Sequence, residues 1–76
     1  MVPYRNIAGN SGVIAYAIKP DSIAVQFTDG KVYVYTYASA GKRNIEQMKK
    51  LAKNGLGLST FISTTVKNRY EEKSGN

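Results

Sequence analysis

Histidine, cysteine and tryptophan are absent from this chain, and only five Asp or Glu residues stand against eleven Lys or Arg. Without cysteine there is neither a disulfide framework nor a thiolate zinc site, and without histidine the remaining metal ligands are scattered carboxylates suited to hard cations. No structural metal is expected on those grounds, and the sequence names no metal ligand set and no cofactor. Catalysis is equally short of agents. Asp21 and Asp29 belong to turns, Glu46 sits beside lysines in a helix, and Glu71 and Glu72 fall in the tail, so no carboxylate pair is placed for acid–base work. The expectation is a protein that is not an enzyme and has no catalytic residue. No segment approaches the roughly 20 apolar residues of a membrane span, and Met1-Val2-Pro3-Tyr4-Arg5-Asn6 lacks the apolar run of a secretory leader. We therefore expect a cytoplasmic protein with no membrane partner.

The 76 residues make one domain, and a domain this small buries only about 60% of the surface its unfolded chain exposes. Self-association would relieve that thin margin, so a homo-oligomer is expected. The net charge of +6 attracts polyanions: RNA, DNA, free nucleotides and anionic membrane surfaces. Charge alone does not choose among them.

The stretch Lys31-Val32-Tyr33-Val34-Tyr35-Thr36-Tyr37 alternates strictly, placing the three tyrosines on one face of a strand and Val32, Val34 and Thr36 on the other. Two earlier strands are expected, Val13 to Ile18 and Ile23 to Phe27, joined at Pro20-Asp21. Asp29-Gly30 is the preferred pair for a two-residue hairpin loop. That loop sets Phe27 against Val32, Val25 against Val34 and Ile23 against Thr36. A two-residue loop at Pro20-Asp21 adds Ile18 opposite Ile23, Tyr16 opposite Val25 and Ile14 opposite Phe27. The other face then collects Ala15, Ala17, Ala24, Gln26, Tyr33 and Tyr35, an accessible aromatic platform among small side chains.

Beyond Tyr37 the period turns helical: Ile45, Met48, Leu51 and Ala52 form a stripe, predicting a helix from Lys42 to Asn54 capped by Ser39 or Asn44 and stopped at Gly55. Ser59 caps a second helix carrying Phe61, Ile62, Val66 and Tyr70. The fold class is α+β, a three-stranded antiparallel meander followed by two helices packed on one face. A single domain spans 1–76, with 1–10 and 71–76 flexible.

Ser11 with Ile14 and Tyr16, the strand Ile23 to Phe27 followed by Asp29-Gly30, Tyr33-Val34-Tyr35, and Leu51-Ala52 through Gly55 to Phe61-Ile62 resemble the KTSC domain family. This short module is appended to some lysyl-tRNA synthetases and also occurs as small free-standing bacterial and phage proteins. Tyr33-Val34-Tyr35 matches the family's tyrosine-x-tyrosine signature. The chain departs from the pattern at Ala38-Ser39-Ala40-Gly41, where many members carry Val-Pro, and at Leu58-Ser59, where many carry Phe-Asn. The resemblance implies a single KTSC-like domain whose proposed role is RNA binding.

The strand-to-helix junction is the first candidate site, with Ser39 and Gly41 at a helix start and Lys42 and Arg43 beside them for a phosphate. Gly55-Leu56-Gly57-Leu58-Ser59-Thr60 is a second glycine-containing helix start. Three readings stand at this point. In the first, Tyr33, Tyr35 and Tyr37 stack the bases of RNA or another single-stranded nucleic acid while Lys42, Arg43, Lys49, Lys50 and Lys53 hold its phosphates. In the second, a phage-type oligomer sequesters a phosphorylated small ligand such as a nucleotide signal, blocking a host defence. In the third, the tyrosine face is a protein-interaction adaptor.

Overall fold

Asp29-Gly30 forms a turn as its residue types require, but within a longer loop. In the computed structural model, which describes residues 1–75, Phe27 N–H donates to the Lys31 carbonyl at 3.0 Å and Gly30 N–H to the Phe27 carbonyl at 2.9 Å. Gly30 takes φ +87°, a left-handed position that resists a side chain, and the Asp29 carboxylate accepts the Lys31 N–H at 3.0 Å. The loop is therefore Thr28-Asp29-Gly30, a tight turn closed by a left-handed glycine. Its extra residue moves the pairing of strand β3 (Ser22–Phe27) with β4 (Val32–Thr36) by one step. Ile23 faces Tyr35, Val25 faces Tyr33 and Gln26 faces Val32.

One step of register exchanges the two faces of a strand. Tyr33 and Tyr35 consequently lie with Ile23 and Val25, and Val32 and Val34 take the outward face beside Ala24 and Gln26. The expected tyrosine platform is corrected: Tyr35 is 1% exposed and Tyr33 is half-buried against the core.

The first hairpin keeps its expected register, with Ile18 opposite Ile23 and Tyr16 opposite Val25 between β2 (Val13–Lys19) and β3. It departs at Ile14, where a β-bulge makes Val13 the partner of Phe27. The bulge sends Val13 into the core and leaves Ile14 exposed.

Both chain ends, expected to be flexible, carry strands. β1 (Val2–Pro3) pairs with β2, and β5 (Glu72–Ser74) pairs with β4. The sheet has five antiparallel strands in the order β1-β2-β3-β4-β5. All three β5 side chains are exposed, so backbone pairing, with the Lys73 ammonium over the Tyr33 ring, joins this tail to the sheet, and no apolar pattern marks it. Asn76, the last residue of the expected flexible tail, lies outside the described residues.

Thr36 ends β4 by capping a short helix α1 (Tyr37–Ala40) through reciprocal bonds with Ser39, which takes Tyr37 out of the strand. Helix α2 (Lys42–Asn54) buries Ile45, Met48 and Ala52 and stops at the left-handed Gly55, as its spacing predicts. Its N-cap is Gly41 with no side-chain bond, in place of Ser39 or Asn44. Helix α3 (Leu58–Phe61) follows Gly57 and widens into a π-helical segment, Ile62–Val66. There the Ser63 and Thr64 hydroxyls donate to the Thr60 carbonyl at 3.1 and 2.8 Å, competing with the regular helical ladder. These helices meet the sheet in one cluster that joins Ile23, Val25 and Tyr35 to Ile45, Met48, Leu58 and Val66. The class is α+β. No helix among the described residues is long and apolar enough to cross a membrane.

Candidate nucleic-acid interface

With Ile45, Met48 and Ala52 turned inward, α2 presents Lys42, Arg43, Gln47, Lys50, Lys53 and Asn54 to solvent. Arg43, Gln47, Lys50 and Asn54 recur at helical spacing and form one polar stripe, about 16 Å long at 1.5 Å of rise per residue. Glu46 is the single carboxylate of the helix. Its side chain pairs with Lys49 at 2.8 Å and accepts the Tyr37 hydroxyl at 2.6 Å. The hydrogen bond from Lys49, then that from Tyr37, holds the Glu46 carboxyl below its ordinary range. The same bond to Glu46 pushes the Tyr37 phenol up.

Lys49 is not a free cation. Its ammonium also donates to the Pro20 carbonyl at 2.8 Å, fastening α2 to the β2–β3 turn, and the residue is buried. This corrects the expected phosphate contact. Lys49 lies four residues after Ile45 and three before Ala52, on the inward side of the helix, so its stem is covered while its head finds oxygen partners. Lys42, Arg43, Lys50 and Lys53 remain exposed. Arg5 adds a cation at the far end by donating to the Lys53 carbonyl.

The strand-to-helix junction is closed on itself. Ser39 exchanges bonds with Thr36, the Gly41 N–H donates to the Tyr37 carbonyl at 3.0 Å, and Asn44 donates to the Ala40 carbonyl at 2.8 Å. Ser39 and Gly41 thus shape the chain reversal; Gly41 is exposed but carries no side chain, and Lys42 and Arg43 are the exposed side chains of that candidate. Tyr37 joins these cations, with Lys42 and Lys49 at 5.9 and 5.5 Å from its ring centre. Tyr33 and Tyr35 do not: their ring and cation partners are Phe27, Tyr70 and Lys73.

Those rings form a second feature. Tyr33 stands edge-to-face with Phe27 at 5.4 Å and with Tyr70 at 4.8 Å, and the Lys73 ammonium lies 5.5 Å from its centre. Burial, with Tyr33 and Tyr70 nearby, pushes the Tyr35 phenol up to about 12, and its hydroxyl donates to the Lys67 carbonyl at 3.4 Å. Beside them opens a cavity of about 360 Å³, walled by Phe27, Tyr33, Tyr35 and Ile62 and edged by Asp29 and Lys67. Sequence reading named Tyr33 and Tyr35 but missed the cavity they wall, because the π-helical segment brings Ile62 and Lys67 to a turn far away in the chain.

The second glycine-containing helix start borders a cavity of about 270 Å³ with Asn6, Asn10, Ser11, Ser59 and Thr60 on its wall. Asn6 and Ser11 are engaged in their own loop, accepting the Ser11 and Val13 N–H groups at 3.0 and 3.1 Å. Comparison of this chain with protein-family models, with curated proteins and with solved structures returned no match.

Proposed function

We propose that the chain is a non-enzymatic module that binds single-stranded nucleic acid, RNA or DNA, by its phosphates along the solvent face of α2. The charge on that face carries the reading. Lys42, Arg43, Lys50 and Lys53 are exposed, while Glu46, the one acid of the helix, is engaged by Lys49 and Tyr37. A phosphate chain lying there meets cations without a competing free carboxylate and releases its own counterions. The resemblance to the KTSC family, with its proposed RNA-binding role, points the same way. All three readings drew on an open tyrosine row, which the burial of Tyr35 takes away; the exposed cations of α2 are the support that is left, and they favour the first.

Fluorescence anisotropy of a short labelled single-stranded oligonucleotide, titrated at several salt concentrations, tests the reading. Affinity falls linearly on a log–log plot against salt, and each cation removed by Lys50→Ala or Lys53→Ala lowers the slope by about 0.7. An affinity indifferent to salt, or variants that bind with the unchanged slope, would overturn it.

A further inference from the structure

The cavity beneath the β3–β4 turn uses none of the α2 cations and has its own chemistry. Its walls are aromatic, and the perpendicular Phe27 and Tyr33 rings, 80° apart, make a corner that accepts one planar ring stacked on a single face, not a slot between two faces. At about 360 Å³ it lies at the small end of ligand sites, which run from about 300 to 1,000 Å³. Lys67 edges it and Lys73, just outside its wall, stands over Tyr33, against one carboxylate among the described residues on the wall, Asp29. That balance disfavours a cationic guest, although aromatic walls otherwise suit one. Lys67 also holds φ +47° and ψ −114° directly after the π-helical segment, an arrangement rare for a residue with a side chain and recurrent where packing holds a functional wall in place.

We propose that this cavity receives one nucleotide, its base against the Phe27–Tyr33 corner and its phosphate against Lys67 and Lys73. Asp29 then selects among bases. A carboxylate accepts hydrogen bonds and cannot donate them, so it pairs with the adjacent N–H donors of guanine and is repelled by the carbonyls that flank the single N–H of uracil. The nucleotide is either free or a unit of a strand, and both sources present the same ring and phosphate. The inference goes beyond the α2 reading and stands or falls separately from it.

Amide NMR titrations of the full chain with GMP, with UMP and with a guanine-containing single-stranded oligonucleotide test it. GMP shifts the amides of Phe27 to Gly30 and of Lys67 and binds several-fold more tightly than UMP. Tyr33→Leu, which keeps apolar bulk and removes the ring, weakens GMP about tenfold, in line with the loss of one base–aromatic stack. Asp29→Asn, in an exposed turn, erases the preference over UMP while the fold is retained. An oligonucleotide that shifts both the cavity and α2 identifies the guest as a strand unit, whereas GMP moving the cavity where the oligonucleotide does not identifies a free nucleotide; only an oligonucleotide that leaves α2 unmoved overturns the α2 reading. If GMP leaves the cavity amides unmoved, the cavity proposal is wrong, even where the oligonucleotide still shifts α2.

Discussion

On the helix-covered face of the sheet stand Tyr16, Ile23, Val25 and Tyr35, none more than 9% exposed; on the outward face stand Ala15, Ala17, Ala24, Val32 and Val34, none of them fully buried. Both sets are apolar, so hydrophobicity does not tell inside from outside. Volume does. Large rings and branched chains need atoms around them on every side, and Ile45, Met48 and Leu58 supply those atoms on one face only. Small residues mark the face that lacks a covering layer. Tyrosine, amphipathic by nature, follows the packing: Tyr35 goes inside and keeps its hydroxyl on the Lys67 carbonyl.

The sharpest way to break this contrast is to truncate one residue on each face. Tyr35→Ala is expected to cost about 3–5 kcal/mol in chemical denaturation, as for other buried rings, and Val34→Ala about 1 kcal/mol or less. Equal losses would mean that the outward face is covered in an assembly. A smaller contrast separates two lysines of one helix. Lys49→Ala takes the donor from the Pro20 carbonyl and one of two from Glu46 and should cost about 1 kcal/mol, whereas the exposed Lys50→Ala stays within about 0.5 kcal/mol.

Titration separates the inside from the surface in the same manner. The Tyr35 phenol is raised from 10.0 to about 12, so the stability it contributes is fully present below pH 10 and lost as pH climbs towards 12. Thermal melts across that window should flatten in Tyr35→Phe. Glu46 is shifted the other way, so its contribution is present above its unfolded value and lost as pH falls through the lowered one. Glu46→Gln removes that acid-side dependence. The smallest effect is expected from deleting Thr28, which leaves Asp29-Gly30 as a two-residue loop between Phe27 and Lys31 while Gln26 still faces Val32. Cross-strand NOEs should be kept, with stability changed by about 1 kcal/mol or less.

Much of this fold is legible in the sequence. Alternation marks β2, β3 and β4, helical spacing marks α2, and Gly55 marks its end. The face of β4 is not legible, because Asp-Gly serves both a two-residue loop and the three-residue loop closed by Gly30. A single residue of loop length decides where every tyrosine points. Of the candidate site, Lys42, Arg43, Lys50 and Lys53 follow from the apolar stripe opposite them. The burial of Lys49 was present in its spacing from Ile45 and Ala52, though a cation there invites an outward reading. The aromatic cavity had no comparable signal, since a π-helical turn and a β-hairpin loop build it jointly.

The tail strand has a consequence in time. β2, β3 and β4 are joined by short turns, whereas β5 meets β4 only after all the helical chain has intervened, with Val34 opposite Glu72. Closing so long a loop costs more chain entropy than closing a hairpin, and distant pairings form late. The meander therefore assembles first and its last strand arrives afterwards. In the interval the outer edge of β4 presents unpaired amides and carbonyls to any neighbouring chain. Residues 72–74, with nothing to bury, act as a shutter on that edge.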